Sequence, residues 1–308
     1  MLLYTEHIKL MGNQFVFTAV HESLDVCKQS VHEGINEVKR IEALLTTFSD
    51  DSVTAKINRY AGIKPVIVPE EVFQLIERSK KISDITQGAF DITYGSVDKK
   101  LWNFDTSMIS LPDPIAAKRN VKLVNYNNIE MDRSVFSVML KQKGMRIGFG
   151  GIGKGYAAEM AKNKLLSFGI KDGVVNAAGD LTAWGNQPDG TPWTVGIADP
   201  DHKNQLFSSF VISDRGVATS GDYEKYVVID GIKYSHTIDP KTGMPAKGMK
   251  SVTVFCPNAE LADALTTPMI ILGVDAGLYM INQLKGVEAV LIDSDNKIYH
   301  SKNINIIK

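Results

Sequence analysis

A carboxylate and a hydroxyl stand four residues apart at Asp263 and Thr267, within the run ELADALTTPMIILG. Asn258 precedes this run and is a good N-cap, which predicts that the run forms a helix. Side chains at positions i and i+4 share one helix face, so both oxygens could bind one hard cation such as Mg²⁺. Pro268 removes a helix hydrogen bond and predicts a bend beside this pair. The same spacing is common on solvated helices, and an ordinary helix face is the alternative interpretation.

A glycine-rich loop at residues 148–155, GFGGIGKG, is the second feature that could bind a ligand. Glycine lets backbone N–H groups approach an anion closely, and a helix predicted over 156–168 would add its positive N-terminal end. A phosphate group is therefore the expected ligand.

The loop nearly fits two fingerprints that predict different ligands. Gly148, Gly150 and Gly153 have the G-x-G-x-x-G spacing of dinucleotide-binding loops. Gly148, Gly153 and Lys154 fit the phosphate-loop pattern up to its last position, where Gly155 replaces the Ser or Thr that reaches magnesium. The sequence after residue 190 predicts hairpins instead of the repeated strand-helix-strand units of a dinucleotide-binding fold. A plain glycine-rich turn is the third interpretation.

A histidine at His236 lies in the run YSHTIDPKTG, where a predicted strand delivers it and Asp239 to a turn. Imidazole titrates near neutral pH, so His236 could accept the proton of a hydroxyl nucleophile. A structural histidine in a sheet is the alternative. Two further turns of small polar residues, at 176–180 and 218–223, lie in the same half of the chain.

The periodicity of apolar residues predicts the elements that must position these groups. Two stripes at three- and four-residue intervals predict a helix of about six turns and a helix that starts at Pro69. They consist of Leu24, Cys27, Val31, Ile35, Val38, Ile41 and Leu45, and of Val72, Leu75, Ile76 and Ile82. Runs rich in β-formers predict strands at 14–20, 65–68, 121–124, 135–141, 145–149, 174–177 and 251–256.

The order of these elements predicts the fold class. Short hairpins follow residue 193, one of them with an Asp230-Gly231 type I′ turn, and helices and strands do not alternate regularly. We expect an α+β fold with mixed, largely antiparallel sheets and packed helices. We expect one domain over residues 1–308 and leave open a division into two lobes near 125–145.

The composition excludes several classes of protein. Lys and Arg number 34 against 35 Asp and Glu, and no basic run marks a nucleic-acid surface. No stretch of roughly 20 apolar residues predicts a transmembrane segment, and the N-terminus lacks a signal-peptide core. Cys27 and Cys256 are too few for a disulfide framework or a zinc site, and we expect both to be buried thiols.

A set of motifs in order along nearly the whole chain resembles the ApbE-type FAD:protein FMN transferases. The motifs are MGNQF at 11–15, DS at 51–52 with Asn58, FDITYG at 90–95, GGIGKGYAAE at 150–159, VVNAAGD at 174–180, ATSGDYEKY at 218–226, HTIDPKTGMPA at 236–246 and ADALTT at 262–267. The resemblance implies an ApbE-like architecture related to the T-fold. It also implies Mg²⁺-dependent transfer of FMN from FAD to a Thr or Ser hydroxyl of a target protein, with release of AMP.

The resemblance assigns roles to individual residues. Asp263, Thr267 and the main-chain carbonyl of Gly153, where the family often has alanine, would bind Mg²⁺. Lys154 and Asp263 would take part in catalysis, and His236 would activate the acceptor hydroxyl. The residues implied to contact FAD are Met11, Phe48, Gly151, Lys154, Asn176, Ala177, Gly179, Asp180, Thr219, Ser220 and Asp239, with Met11 and Phe48 near the isoalloxazine.

Two departures from the family pattern are visible in the sequence. Gly148 stands where the family usually has Asp, and the chain begins without the signal and lipid-attachment cysteine of the periplasmic lipoproteins. As written, the sequence predicts a cytoplasmic protein, and a periplasmic, membrane-anchored one if a leader has been removed. Two other activities stay open, namely hydrolysis of FAD to FMN and AMP, and FAD binding without catalysis.

Overall fold

An eight-stranded antiparallel sheet lies at the centre of the fold, and three of the helices pack on one of its faces. The computed structural model describes residues 1–102, 108–198, 206–221 and 226–304. The strands are β1 (Leu2–Leu10), β2 (Asn13–His21), β3 (Val66–Ile67), β4 (Ile129–Asp132), β5 (Ser137–Leu140), β6 (Asp172–Ala177), β7 (Asp180–Trp184), β8 (Trp193–Ala198), β9 (Leu206–Ile212), β10 (Arg215–Gly221), β11 (Tyr226–Ile229), β12 (Ile232–Ile238), β13 (Pro245–Lys247), β14 (Met249–Cys256), β15 (Glu288–Asp293) and β16 (Ile298–His300). The α-helices are α1 (Leu24–Leu45), α2 (Val53–Arg59), α3 (Glu70–Ile85), α4 (Pro114–Asn120), α5 (Gly153–Ser167) and α6 (Ala259–Ile281). Short 3₁₀ helices span Ile92–Ser96 and Tyr126–Asn128.

The main sheet has the strand order β1-β2-β6-β7-β10-β14-β15-β16, and every neighbouring pair is antiparallel. Three smaller sheets have the orders β11-β12-β13, β3-β5-β4 and β8-β9. The predicted α+β class with largely antiparallel sheets is therefore confirmed.

The two faces of the main sheet are covered differently. One face contributes to the main core together with α1, α5 and α6, through residues such as Phe15, Ala157 and Leu265. The other face packs against the β8-β9 hairpin through a smaller core that includes Leu181 and Phe210. Alternate residues of one strand point to opposite faces, so a single sheet serves both cores.

The long amphipathic helices form where the apolar stripes predict them. In α1 every predicted stripe residue except Leu24 is buried, and the Ser23 hydroxyl accepts the backbone N–H of Val26 as an N-cap. Leu24 is exposed because it stands at the first position of the helix, beyond the edge of the core. The whole predicted stripe of α3 is buried. The predicted type I′ turn is also confirmed, since Asp230 and Gly231 have φ angles of 51° and 76° between paired strands.

Three strand predictions between residues 121 and 149 need correction. Residues 121–124 form a turn, and the strand predicted over 135–141 is shortened to β5. Residues 145–149 are not a strand, although their backbone hydrogen bonds are satisfied in another way. The Asn58 side chain accepts the N–H of Ile147 at 2.7 Å and donates to its carbonyl at 3.0 Å.

Helix α6 is broken at Gly273, whose φ of 72° and ψ of −171° are not helical. The sequence predicted a bend at Pro268 instead, yet Gly273 is the one residue inside α6 recorded with non-helical angles. A glycine adopts positive φ without a steric penalty, so the helix turns there at little cost. The break falls on the last residue of the run ELADALTTPMIILG, and α6 continues beyond it to Ile281.

Helix α6 is also, within the described ranges, the single helix long and apolar enough to cross a bilayer. Its most apolar window has a mean hydropathy of 1.5 and is half buried inside the protein. The sequence has no uninterrupted apolar stretch long enough to span a bilayer. Helix α6 attains that length only by including Asp263 and Gly273. Buried residues such as Leu265 and Met269 make α6 a helix of the main core.

Both cysteines are buried, as expected from the sequence. Burial raises the pKa of the Cys256 thiol to about 12 and also raises the pKa of Cys27. The thiolate is the reactive form, so both groups combine low access with a low ionised fraction.

We therefore expect neither thiol to react with a chromogenic disulfide reagent in the folded protein at about pH 8. Addition of a denaturant should release two reactive thiols per chain, counted by absorbance. A rapid reaction of one thiol without denaturant would contradict the burial of that cysteine.

Candidate active site

Helices α5 and α6 touch at Gly155, and this contact sets the geometry of the site. A Cβ at Gly155 would collide with the carbonyl of Ala259 and would lie 2.8 Å from the Asp263 Cβ. The backbone N–H of Gly155 donates to Asp263 Oδ2 at 3.0 Å. The glycine that breaks the phosphate-loop pattern is thus required by close helix packing, and its N–H fixes the Asp263 carboxylate.

Three charged side chains meet at this contact. The Lys154 ammonium pairs directly with Asp180 Oδ2 and lies 3.7 Å from Asp263 Oδ1. Both carboxylates are buried, and Lys154 is largely so. Two carboxylates share one ammonium here, which leaves the cluster with a negative charge suited to a cation.

Thr267 faces the glycine-rich loop from one turn further along α6. A Cβ built on Gly151 would lie 4.0 Å from Thr267 Oγ1 and 3.6 Å from the Phe90 ring. A Cβ built on Gly153 would lie 3.4 Å from the Phe149 Cβ and 3.7 Å from Met11 Cε, which describes its Cβ side and leaves the predicted role of its carbonyl a prediction. The structure therefore brings Gly151 beside Thr267 and places the Cβ side of Gly153 near Phe149 and Met11.

The glycine-rich loop leads directly into α5, which begins at Gly153 and not at residue 156 as predicted. Ile152, at the N-cap position, provides no side-chain hydrogen bond to the helix. The Asp263 carboxylate of α6 instead accepts the N–H of Gly155 in this first turn, so it partly neutralises the positive end of α5.

The β6-β7 hairpin delivers Asp180 to Lys154. Ala177 and Asp180 are register partners at its end, while Ala178 and Gly179 turn with φ angles of 55° and 98°. The Asn176 side chain accepts the N–H of Gly179 at 2.8 Å. The predicted flavin-contacting turn is thus a tight hairpin whose Asp180 points at the lysine of the loop.

Two other predicted contact residues are tied to the same region by hydroxyl groups. Ser220 Oγ lies 2.8 Å from Thr266 Oγ1, and Thr266 Oγ1 donates to the carbonyl of Asp263 at 2.9 Å. Thr219 Oγ1 lies 2.9 Å from Thr253 Oγ1 on the neighbouring strand. Ser220 therefore connects β10 to the turn of α6 that carries Asp263, whereas Thr219 connects β10 to β14.

Phe48 and Met11 differ in their surroundings. Phe48 is 98% exposed in the loop that follows α1. Met11 is half-buried in the β1-β2 turn, with φ of 50°. A fully exposed aromatic ring offers a face on which a planar group could stack.

His236 and Asp239 lie on and just after β12. His236 is half-buried, and Asp239 accepts the N–H of Lys241 at 2.8 Å and the hydroxyl of Thr242 at 2.9 Å. Both carboxylate oxygens of Asp239 are thus engaged within their own turn. In this structure Asp239 shapes the segment that follows His236.

Two acidic residues in this region have roles that the sequence analysis did not assign. Glu159 is buried on α5, and its Oε1 accepts the N–H of Ala259 at 2.7 Å. Asp91 accepts the N–H and hydroxyl of Thr93 and the N–H of Tyr126, while burial raises the pKa of its carboxyl. The sequence signal for Glu159 was an acidic residue within an alanine-rich helix. Its partner could not be predicted because it lies 100 residues away along the chain.

A cavity of about 980 Å³ opens between α4 and the turn after His236. Four cationic residues line it, namely Lys118, Arg119, Lys122 and Lys241. Asp91 also lines this cavity, whereas the adjacent Phe90 faces Gly151. The segment 90–91 therefore separates the glycine-rich loop from a positively charged cleft.

Comparison with known proteins identifies relatives over almost all of the chain. The model of the ApbE family matches residues 11–291. A FAD:protein FMN transferase of Treponema pallidum is 31% identical over 293 residues, which cover 89% of this chain and 81% of that protein. One of Klebsiella pneumoniae is 32% identical over 263 residues, with coverage of 85% and 81%.

Solved structures agree with the sequence relatives. The ApbE protein of Thermotoga maritima has a TM-score of 0.88 and 29% identity, with 98% of this chain and 97% of that chain covered. The flavinyl transferase ApbE of Pseudomonas stutzeri, in its apo form, has a TM-score of 0.85 and 26% identity, with coverage of 98% and 95%. These similarities include all the elements described around Asp263.

The close contact at Gly155 leads to a test with a matched control. Gly155→Ala should destabilise the protein by roughly 1–3 kcal/mol, because the new methyl group meets main-chain atoms of α6. Gly150→Ala, in the same loop with nothing within 4 Å of its Cβ position, should change stability by less than about 0.5 kcal/mol. Urea denaturation followed by circular dichroism measures both. Equal stability of the two variants would show that α5 and α6 do not need this close approach.

Proposed function

Because the chain belongs to the ApbE family, we propose that it transfers FMN from FAD to a Thr or Ser hydroxyl of a target protein and releases AMP, using Mg²⁺. Relatives named FAD:protein FMN transferase and a similar flavinyl transferase structure support this activity. The observation that carries the proposal is the cluster of Lys154, Asp180 and Asp263 between the glycine-rich loop and α6.

The residues present fit a magnesium ion. Asp263 Oδ1 is not used by the hydrogen bond from Gly155, and Thr267 adds a hydroxyl on the same helix face. Within the described residues no group of three or more His, Cys, Asp or Glu side chains could hold a metal on its own. Magnesium in such sites takes one or two carboxylates and completes its shell with water and substrate phosphates. When bound, it would polarise phosphoryl oxygens as a Lewis acid.

The chain itself contributes positive charge where the pyrophosphate would lie. The Lys154 ammonium extends from the first turn of α5, where the glycine-rich loop ends, into the cluster. Phosphoryl transfer depends mainly on positioning and on neutralising charge that grows on the bridging oxygen. Lys154 and the loop N–H groups would therefore hold the pyrophosphate and stabilise the leaving AMP.

His236 would act on the acceptor. The hydroxyl oxygen of the target forms a bond to the FMN phosphorus, the bond from that phosphorus to the bridging oxygen breaks, and AMP leaves with that oxygen. The hydroxyl proton moves to the imidazole of His236, which is half-buried on β12. With water in place of the hydroxyl, the same steps would give free FMN and AMP.

The proposal is tested by following FAD and its products. Purified protein with FAD, Mg²⁺ and a flavin-accepting protein should give flavin-labelled acceptor and an equal amount of AMP, measured by in-gel fluorescence and chromatography. AMP with free FMN and no label would identify a hydrolase, and FAD that binds but stays intact would identify a non-catalytic flavin-binding protein. Either result would overturn the transferase proposal.

Asp263→Asn should lower AMP release by roughly a hundredfold or more, because it removes the charge that binds the cation. Asp275→Asn is the matched control, since Asp275 lies exposed on the same helix beyond the break at Gly273. The rate of AMP release against Mg²⁺ concentration measures both variants. Similar rates for the two would argue against a metal role for Asp263.

His236→Asn should slow labelling of the acceptor by about a hundredfold or more, since it removes the general base. FAD affinity, measured by quenching of flavin fluorescence, should change little. If the labelling rate is unaffected, another group must take the acceptor proton.

A further inference from the structure

Lys154 lies between two buried carboxylates at unequal distances. It is in direct contact with Asp180 Oδ2, and its Nζ is 3.7 Å from Asp263 Oδ1. The side chains of Asp180 and Asp263 are 3% and 5% exposed. Charges this deeply buried interact strongly. If the ammonium moved from one carboxylate to the other, the electrostatic environment of both carboxylates would change.

The two carboxylates differ in how their oxygens are used. Asp263 Oδ2 accepts the N–H of Gly155, which leaves Oδ1 facing Lys154. Asp180 is held in place by the hairpin that precedes it, where the Asn176 side chain accepts the N–H of Gly179. A backbone N–H therefore fixes the Asp263 carboxylate and the hairpin fixes the backbone of Asp180, so the long lysine side chain has the most freedom to move within the cluster.

An ammonium and a divalent cation would compete for the same oxygen of Asp263. A lysine that moved from 3.7 Å into direct contact with Oδ1 would occupy the position of an incoming metal. The existing contact with Asp180 opposes that movement, because an ammonium already paired with one carboxylate gains little by exchanging it for another.

We propose that Asp180 is a positioning residue that holds the Lys154 ammonium off Asp263 and so keeps Asp263 Oδ1 available to a divalent cation. The inference rests on the proposed function, in which Asp263 binds Mg²⁺. It gives Asp180 a role in the metal site, whereas the sequence resemblance placed this residue among the FAD contacts.

Loss of the Asp180 carboxylate has a definite consequence under this arrangement. Lys154 then has Asp263 as its remaining carboxylate in the cluster and closes on Oδ1. Removal of the ammonium together with Asp180 leaves Asp263 free again. The effects of the two substitutions on metal binding should therefore be strongly non-additive.

The test measures Mn²⁺ binding to the full chain by electron paramagnetic resonance, without FAD and without turnover. Asp180→Asn should weaken Mn²⁺ binding by about tenfold in the natural background and by less than about threefold in a Lys154→Met background. Lys154→Met alone should strengthen binding, because it removes a competing cation and keeps the length of the side chain. Asp180→Ser is a second variant for the same comparison, and near-ultraviolet circular dichroism checks that each protein is folded.

Each result decides between alternatives. If Asp180→Asn weakens Mn²⁺ binding equally in both backgrounds, Asp180 acts on the metal through its charge and not through Lys154. If it weakens binding in neither background, Asp180 has no influence on the metal. Weaker binding by Lys154→Met would show that the lysine helps the cation instead of competing with it. Each of these three outcomes overturns the role proposed for Asp180 and leaves the proposed metal site standing, provided that Asp263→Asn abolishes Mn²⁺ binding. If Asp263→Asn does not abolish binding, the proposed metal site itself fails.

Discussion

Ala259, the first residue of α6, is held by two close backbone contacts and one buried side-chain hydrogen bond, and the rest of the site depends on this arrangement. Gly155 of α5 packs against its carbonyl, Gly216 of β10 packs against its N–H side, and Glu159 accepts that N–H. A Cβ at either glycine would overlap main-chain atoms, which cannot rotate aside as a side chain can. The helix that carries the proposed metal ligands is therefore placed by close-packed backbone, which flexible surface contacts could not achieve.

The buried charges between α5 and α6 also affect the stability of the fold. Two buried carboxylates share one lysine, and burying an unbalanced charge is costly unless hydrogen bonds or a counter-ion compensate for it. The N–H of Gly155 compensates for part of it. A cation bound between α5 and α6 would compensate for more, so ligand binding and folding stability are coupled through the same side chains.

Local patterns in the sequence were sufficient to predict features that depend on neighbours along the chain. The stripe of α1, the cap at Asn258 and the turn at 230–231 are of this kind, and so is the shared helix face of Asp263 and Thr267. Contacts between distant segments could not be predicted. Lys154 meets a partner 26 residues away, and the Glu159 partner is 100 residues away, so their pairing depends on how the sheet and helices pack.

The side-chain amide of Asn58 satisfies both main-chain hydrogen-bonding groups of Ile147, as a neighbouring strand would. It donates to the carbonyl and accepts the N–H of the same residue, in the two-point manner of a base pair. The Ser96 hydroxyl does the same for Arg146, since it accepts the N–H at 2.8 Å and donates to the carbonyl at 3.1 Å, whereas a carboxylate could only accept. Side chains thus hold the chain at Arg146 and Ile147, and backbone pairing resumes only at Gly148, whose N–H donates to the carbonyl of Ile92 at 2.9 Å just before the glycine-rich loop.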